Sequence, residues 1–159
     1  MLGREWRHLK PTAGDDILRL RQGPWRILLA VDDSGPSARA AETAAVMTEP
    51  CCGEVLVFRA REVEGSGRTP SLETPASPEE LVGHVVEMLR GEGLRVRGEA
   101  FTTTRGETAR DIVEDARHRE ADLIIMGSRS LSDVVALLRG ASVAHEAICR
   151  TDCPVLVVR

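Results

Sequence analysis

The sequence predicts an open α/β sheet of five parallel strands, in the order 3-2-1-4-5, with helices on both faces. Three observations lead to the parallel α/β architecture, within which that strand order is the expectation. From Trp25 onward, short apolar runs alternate with amphipathic stretches at the spacing of strand–helix units. The strand candidates are nearly continuous in apolar residues, the pattern of strands covered on both faces. The helix candidates open on capping residues and carry apolar positions at helical spacing.

Each element has its own signal. Trp25 to Val31 (WRILLAV) is the first strand. Asp33 or Ser34 can cap the helix behind it, Pro36 suits its first turn, and Ala38, Ala41, Ala44, Ala45 and Met47 give a small-residue face. Glu54 to Ala60 (EVLVFRA) is the second strand. Residues 61–78 (REVEGSGRTPSLETPASP) lack apolar periodicity and are rich in Gly, Ser and Pro, which predicts an exposed loop. Ser77 and Glu80 form a capping box around Pro78, and Leu81, Val82, Val85, Met88 and Leu89 are the buried stripe of the helix that ends at Gly91 or Gly93. Arg95 to Thr103 alternates weakly as a third strand. Thr104 and Glu107 make a second capping box before a helix with Ile112, Val113 and Ala116 inside. Ala121 to Met126 (ADLIIM) is the fourth strand, a glycine-containing loop begins at Gly127, a helix covers about residues 134–149, and Cys153 to Val158 (CPVLVV) is the last strand.

Composition narrows the function. The 159 residues suit one domain. Twenty-one Lys and Arg against 25 Asp and Glu leave a net charge of −4 and no basic stripe, which argues against nucleic acid or a polybasic membrane anchor. Lys10 is the only lysine, so neither a Walker phosphate loop nor a Schiff base fits the folded domain. The aromatic residues are Trp6, Trp25, Phe58 and Phe101, too few for stacking platforms along single-stranded nucleic acid. No apolar run reaches the roughly 18–20 residues of a membrane span, and the first 24 residues are too polar for a secretory signal. Cys51, Cys52, Cys149 and Cys153 form no CxxC pair. The expected location is the cytoplasm.

In open parallel sheets the ligand lies at the carboxyl ends of the strands, where the strand order reverses. Those ends carry Asp32-Asp33, Arg59-Ala60 and Met126-Gly127. A phospho-receiver is excluded, because no aspartate lies between Asp33 and Asp111 and no lysine follows Lys10. One of the paired aspartates is therefore read as helix capping, the other as a group for a ribose hydroxyl or a base edge. Gly127 lets a backbone approach a phosphate, or simply serves the geometry of a strand-to-helix turn. His145-Glu146-Ala147-Ile148-Cys149 lacks the second histidine of HExxH, and Cys153 belongs to a strand, so no metal site is expected. No GxSxG elbow is present.

The chain also resembles the universal stress proteins. VDDSGPS (Val31 to Ser37), EADLIIMGSRS (Glu120 to Ser130) and GASVAHEAICRTDCPVLVVR (Gly140 to Arg159) follow the family's opening, fourth-strand and closing segments, in order, over about residues 25–159. The resemblance implies an adenine-nucleotide alpha-hydrolase-like fold, a single domain at 25–159 and an extension at 1–24. For members that bind ATP it implies that Ala30, Val31 and Asp32 line the adenosine pocket with Met126. Ala60 then meets the base, while Gly127, Arg129, Ser130, Gly140, Ala141, Ser142 and Val143 hold the phosphates. Two positions depart from the binding pattern: Ser130 replaces a glycine, and Ala141 replaces a Ser or Thr unless Ser142 takes that role. The implied function is a regulatory or protective stress-response protein that binds ATP with Mg²⁺. No catalytic residue is assigned, and hydrolysis is slow or absent. The alternative is a dimerisation or partner-binding module without nucleotide. A two-fold homodimer through the last strand, Pro154 to Val158, is expected on both readings.

Overall fold

Ile27, Leu28 and Leu29 have no exposed surface, and everything else is arranged around them. They form the middle of β1 (Arg26–Ala30), the central strand of a five-stranded sheet in a computed structural model that describes residues 24–63, 77–104, 106–128 and 143–159. The chain continues through α1 (Gly35–Thr48), a single 3-10 turn, β2 (Glu54–Val63), α2 (Pro78–Gly91), β3 (Arg95–Thr104), α3 (Thr108–His118), β4 (Leu123–Gly127), α4 (Val143–Arg150) and β5 (Val155–Val158). All strand pairs are parallel and the order is β3-β2-β1-β4-β5, as the sequence predicts.

Alternate residues of each strand feed two cores. Ile27, Leu29, Val55, Val57 and Ile125 meet Ala40, Ala41 and Ala44 of α1 and Val82, Val85, Val86 and Leu89 of α2. Leu28, Phe58, Ile124 and Met126 meet Ala109, Ile112, Val113 and Ala116 of α3 and Ala144 and Ala147 of α4. Each large apolar side chain so buried contributes about 1.5–3 kcal/mol relative to exposure. The alanines of α1 contribute less by area, and they let the helix lie close to the sheet.

Local signals explain the helix starts. Ser34 caps α1, accepting from the Ser37 N–H, with Pro36 in the first turn. Ser77 and Glu80 close the expected capping box on α2. Four details differ from the sequence reading. The Thr104–Glu107 box does not form: Thr104 ends β3, its carbonyl accepts from the Glu107 N–H, and Glu107 takes the cap position without a side-chain hydrogen bond. On α2, Val86 is buried, whereas Met88 is 39% exposed, because the helix turns that flank outward. Ala38 of α1 likewise faces solvent, and Ser37, Ala40 and Thr48 join Ala41 and Ala44 on the buried side. β2 continues to Val63 in register with Thr104, past the predicted end at Ala60, since β3 offers a partner the whole way. The part of the predicted last helix before Val143 lies outside the described residues. Among the described residues, no helix is long and apolar enough to cross a membrane.

Candidate functional site

The carboxyl ends of β1 and β4 stop level with the middle of β2. Ala30 pairs with Phe58 on one side and Met126 on the other, so Asp32 stands level with Ala60. Ala30 and Ala60 are partly buried on the α3–α4 face, beside the fully covered Phe58 and Met126. The two alanines put only methyl groups at the carboxyl ends of β1 and β2 on this face, where larger side chains fill the core below. Phe101, paired with Ala60 across the β2–β3 ladder, stacks on Phe58 with ring centroids 5.2 Å apart and is 40% exposed.

The turn after β1 is tightly tied. The Asp32 N–H donates to Ser37 Oγ at 2.9 Å, and Asp32 Oδ1 accepts from the Ser34 N–H at 3.0 Å and from the Ser34 hydroxyl. Ser37, 3% exposed, thereby spends its hydroxyl on the backbone of the residue that starts the turn. Of the two candidate caps, Ser34 and not Asp33 fills the role, and Asp32 orients Ser34. One carboxylate oxygen of Asp32 is thus held by the turn itself. Val31 is buried, its N–H donates to the Phe58 carbonyl, and its own carbonyl accepts from Arg59 Nη1 at 3.1 Å. The reach of Arg59 back to β1 was not anticipated, since an arginine at a strand end carries no such signal in sequence. Its Nε is buried with no hydrogen-bond partner among the described residues.

Gly127 closes β4 against α1. A Cβ there would stand 2.6 Å from the Ser37 nitrogen and 2.7 Å from the Pro36 carbonyl carbon. Packing therefore demands the glycine before any ligand is considered. Just past the end of β4, the Ser128 N–H donates to the Val158 carbonyl at 2.8 Å. Val143, 37% exposed, begins α4. Arg129, Ser130, Gly140, Ala141 and Ser142 lie outside the described residues. The structure thus brings together Ala30, Val31, Asp32, Ala60, Met126 and Gly127 at one end of the sheet.

The cysteines behave differently from one another. Cys153 is half buried, its thiol donating to the Ala121 carbonyl at 3.3 Å, and burial together with the Asp122 carboxylate pushes its pKa up to about 11. Cys149 is exposed on α4, with His145 Nε2 3.7 Å from its sulfur.

This geometry defines an adenine-nucleotide type α/β fold with a small-residue floor at the carboxyl ends of its central strands. The universal stress protein family model matches residues 25–159, and the chain belongs to that family. A universal stress protein of Thermus aquaticus is 33% identical over 139 residues, covering 84% of this chain and 97% of that protein. Universal stress protein YxiE of Bacillus subtilis is 28% identical over 147 residues, with 84% and 98% covered. Among solved structures, the universal stress protein of Archaeoglobus fulgidus in complex with dAMP is 25% identical, with a TM-score of 0.61 over 85% of this chain and 98% of that one.

Proposed function

We propose that this protein is a stress-response regulatory or protective protein that works by binding an adenine nucleotide at the carboxyl ends of β1, β2 and β4. The observation that carries this is that the carboxyl ends of β1 and β2 carry only small side chains on the α3–α4 face, Ala30 level with Phe58 and Ala60 one step further on, level with Asp32. The dAMP complex of the Archaeoglobus fulgidus relative supports the same reading. Ala60 supplies backbone groups to the base, and Ala30 with the backbone of Val31 and Met126 borders the adenosine. Asp32, placed at the turn after β1 by its contacts with Ser34 and Ser37, faces the ribose or the base edge. The backbone at Gly127 and Val143, with Arg129, Ser130, Gly140, Ala141 and Ser142, holds the phosphates. With ATP bound, Asp32 or Asp33 holds Mg²⁺ through the nucleotide, the metal screening phosphate charge. The protein acts by binding and not by turnover, in the cytoplasm, with residues 1–24 an extension outside the binding domain.

The edge position of β5 supports a homodimer on the same reading. Val155 to Val158 are each only partly buried, and β5 pairs with β4 alone among the described residues. Pairing Pro154–Val158 with its copy about a two-fold axis covers that edge. Arg39 Nε, donating to the Arg159 carbonyl at 2.5 Å, holds the end of the strand against α1.

The test is thermal stabilisation of purified protein by AMP, dAMP and ATP with magnesium. A nucleotide at 100 times its dissociation constant stabilises the fold by about 2.7 kcal/mol. Ala60→Leu, which fills the floor with little disturbance of the core, should remove most of that shift. If millimolar nucleotide shifts nothing and none accompanies the protein through purification, the chain is a dimerisation or partner-binding module instead. A wild-type response in Ala60→Leu places the base elsewhere.

A further inference from the structure

We propose that Phe101 is a base-contacting residue of the candidate nucleotide site, an aromatic wall that makes the site prefer purines to pyrimidines. The proposal rests on the nucleotide reading above and assigns a residue that reading leaves without a role. Phe101 lies on β3 directly beside Ala60, the residue assigned to the base. At that level the order across the sheet is Asp32, Ala60, Phe101. Phe101 stands on the α3–α4 face, since Ala60 and Phe58 pack into that core and Phe101 stacks on Phe58. Neighbouring strands lie about 4.8 Å apart, so a base held at the Ala60 backbone falls within the roughly 4.5–7 Å at which aromatic rings attract one another.

Exposure and support make the ring usable. The buried Phe58 holds it, with ring centroids 5.2 Å apart and planes 19° apart. Phe101 itself stays 40% exposed, and the methyl group of its neighbour Ala60 is too short to cover it. A base laid beside it removes that apolar surface from water. The strands that carry the ring are also fixed. β1 finds its last β2 partner at Phe58, whereas β2 and β3 stay paired as far as Val63 and Thr104. The hydroxyl of Thr108, at the start of α3, donates to Glu62 Oε1 at 2.7 Å and ties this overhang to the helix. Phe101 thus stands on a wall that outreaches β1, in place before a ligand arrives. A phenyl ring offers contact area and no hydrogen bond, so it reads the extent of a π-surface and favours the larger, purine ring system. The choice among purines is left to the backbone at Ala60.

The experiment is calorimetric titration of the full chain with AMP and with CMP, in the wild type, Phe101→Leu and Phe101→Trp. The wild type should bind AMP more tightly than CMP. Phe101→Leu, which keeps apolar bulk at this edge-strand position, should retain a cooperative melt and lose about tenfold in AMP affinity. Phe101→Trp should bind AMP within about threefold of the wild type, and its added indole emission should fall when AMP stacks on it. Three results overturn the proposal and leave the nucleotide reading intact: Phe101→Leu binding AMP like the wild type, AMP and CMP binding equally to the wild type, or Phe101→Trp emission indifferent to AMP. If the wild type binds neither nucleotide at millimolar concentration, the nucleotide reading itself falls and this assignment with it.

Discussion

Gly98 and Gly127 sit on different strands and both mark places where a helix lies too close to the sheet for a side chain. At Gly127 the obstacle is backbone: the Ser37 nitrogen and Pro36 carbonyl carbon at the start of α1. At Gly98 the obstacle is two methyl groups, Cγ1 of Val82 and Cγ2 of Val86 on α2. The difference matters because methyls can rotate or be removed, whereas the start of α1 is pinned by Ser34, Ser37 and Asp32 through four hydrogen bonds. The rigid seam borders the candidate nucleotide site and the softer one lies at the sheet's outer edge. A binding surface on this fold therefore rests on a turn whose polar groups are already satisfied.

The largest effect should come from breaking the rigid seam. Gly127→Ala is expected to cost about 3 kcal/mol in urea denaturation, the upper end for overpacking, because α1 or β4 must move as a backbone unit. It should also weaken nucleotide stabilisation, but only in company with that loss of stability. A variant that kept full stability while losing nucleotide binding would instead make Gly127 a ligand glycine. This is why Ala60, and not Gly127, is the position to alter when binding alone is in question.

Gly98→Ala should cost less, about 1–2 kcal/mol, since Val82 and Val86 can yield. Combining it with Val82→Ala sharpens the point: the added methyl then enters space the valine vacated. The double variant should lose at least 0.5 kcal/mol less than the two single losses added together, within the usual coupling of touching residues. Strict additivity would mean that α2 had shifted as a whole, and the two seams would then be mechanically alike.

Most of the fold was legible because its signals are local. The apolar run at Trp25 to Val31 encoded a strand covered on both faces, and Ser77 with Glu80 encoded a helix start that formed as written. What was not legible depends on partners distant in sequence. β2 runs past Ala60 because β3 lies alongside it, and no residue of β2 announces that. Thr104 and Glu107 satisfy the capping-box spacing as well as Ser77 and Glu80 do, yet β3 claims Thr104 as its last residue. At the candidate site, Asp32, Ala60 and Gly127 were marked by their place at strand ends. The sequence could not distinguish a glycine needed by a phosphate from one needed by Ser37. Nor did it show that Arg59 would turn back to the Val31 carbonyl.

The smallest effect concerns a residue that is not glycine but adopts the conformation of one. Cys52 closes the turn between α1 and β2 with φ at +48°, a left-handed conformation that crowds its Cβ against the carbonyl that follows. Its side chain is exposed and sits away from both seams. Cys52→Gly removes a strain of about 1–2 kcal/mol and returns about half of that as added freedom in the unfolded chain. The net expectation is a gain of about 0.5 kcal/mol, read as a rise of one to a few degrees in melting temperature for a domain of this size. Cys52→Ala, which keeps the Cβ, should give no gain. A loss on Cys52→Gly would show that the turn takes its left-handed shape at no local cost. The three positions would then form a series in which an added Cβ is expensive only where another part of the chain occupies its space.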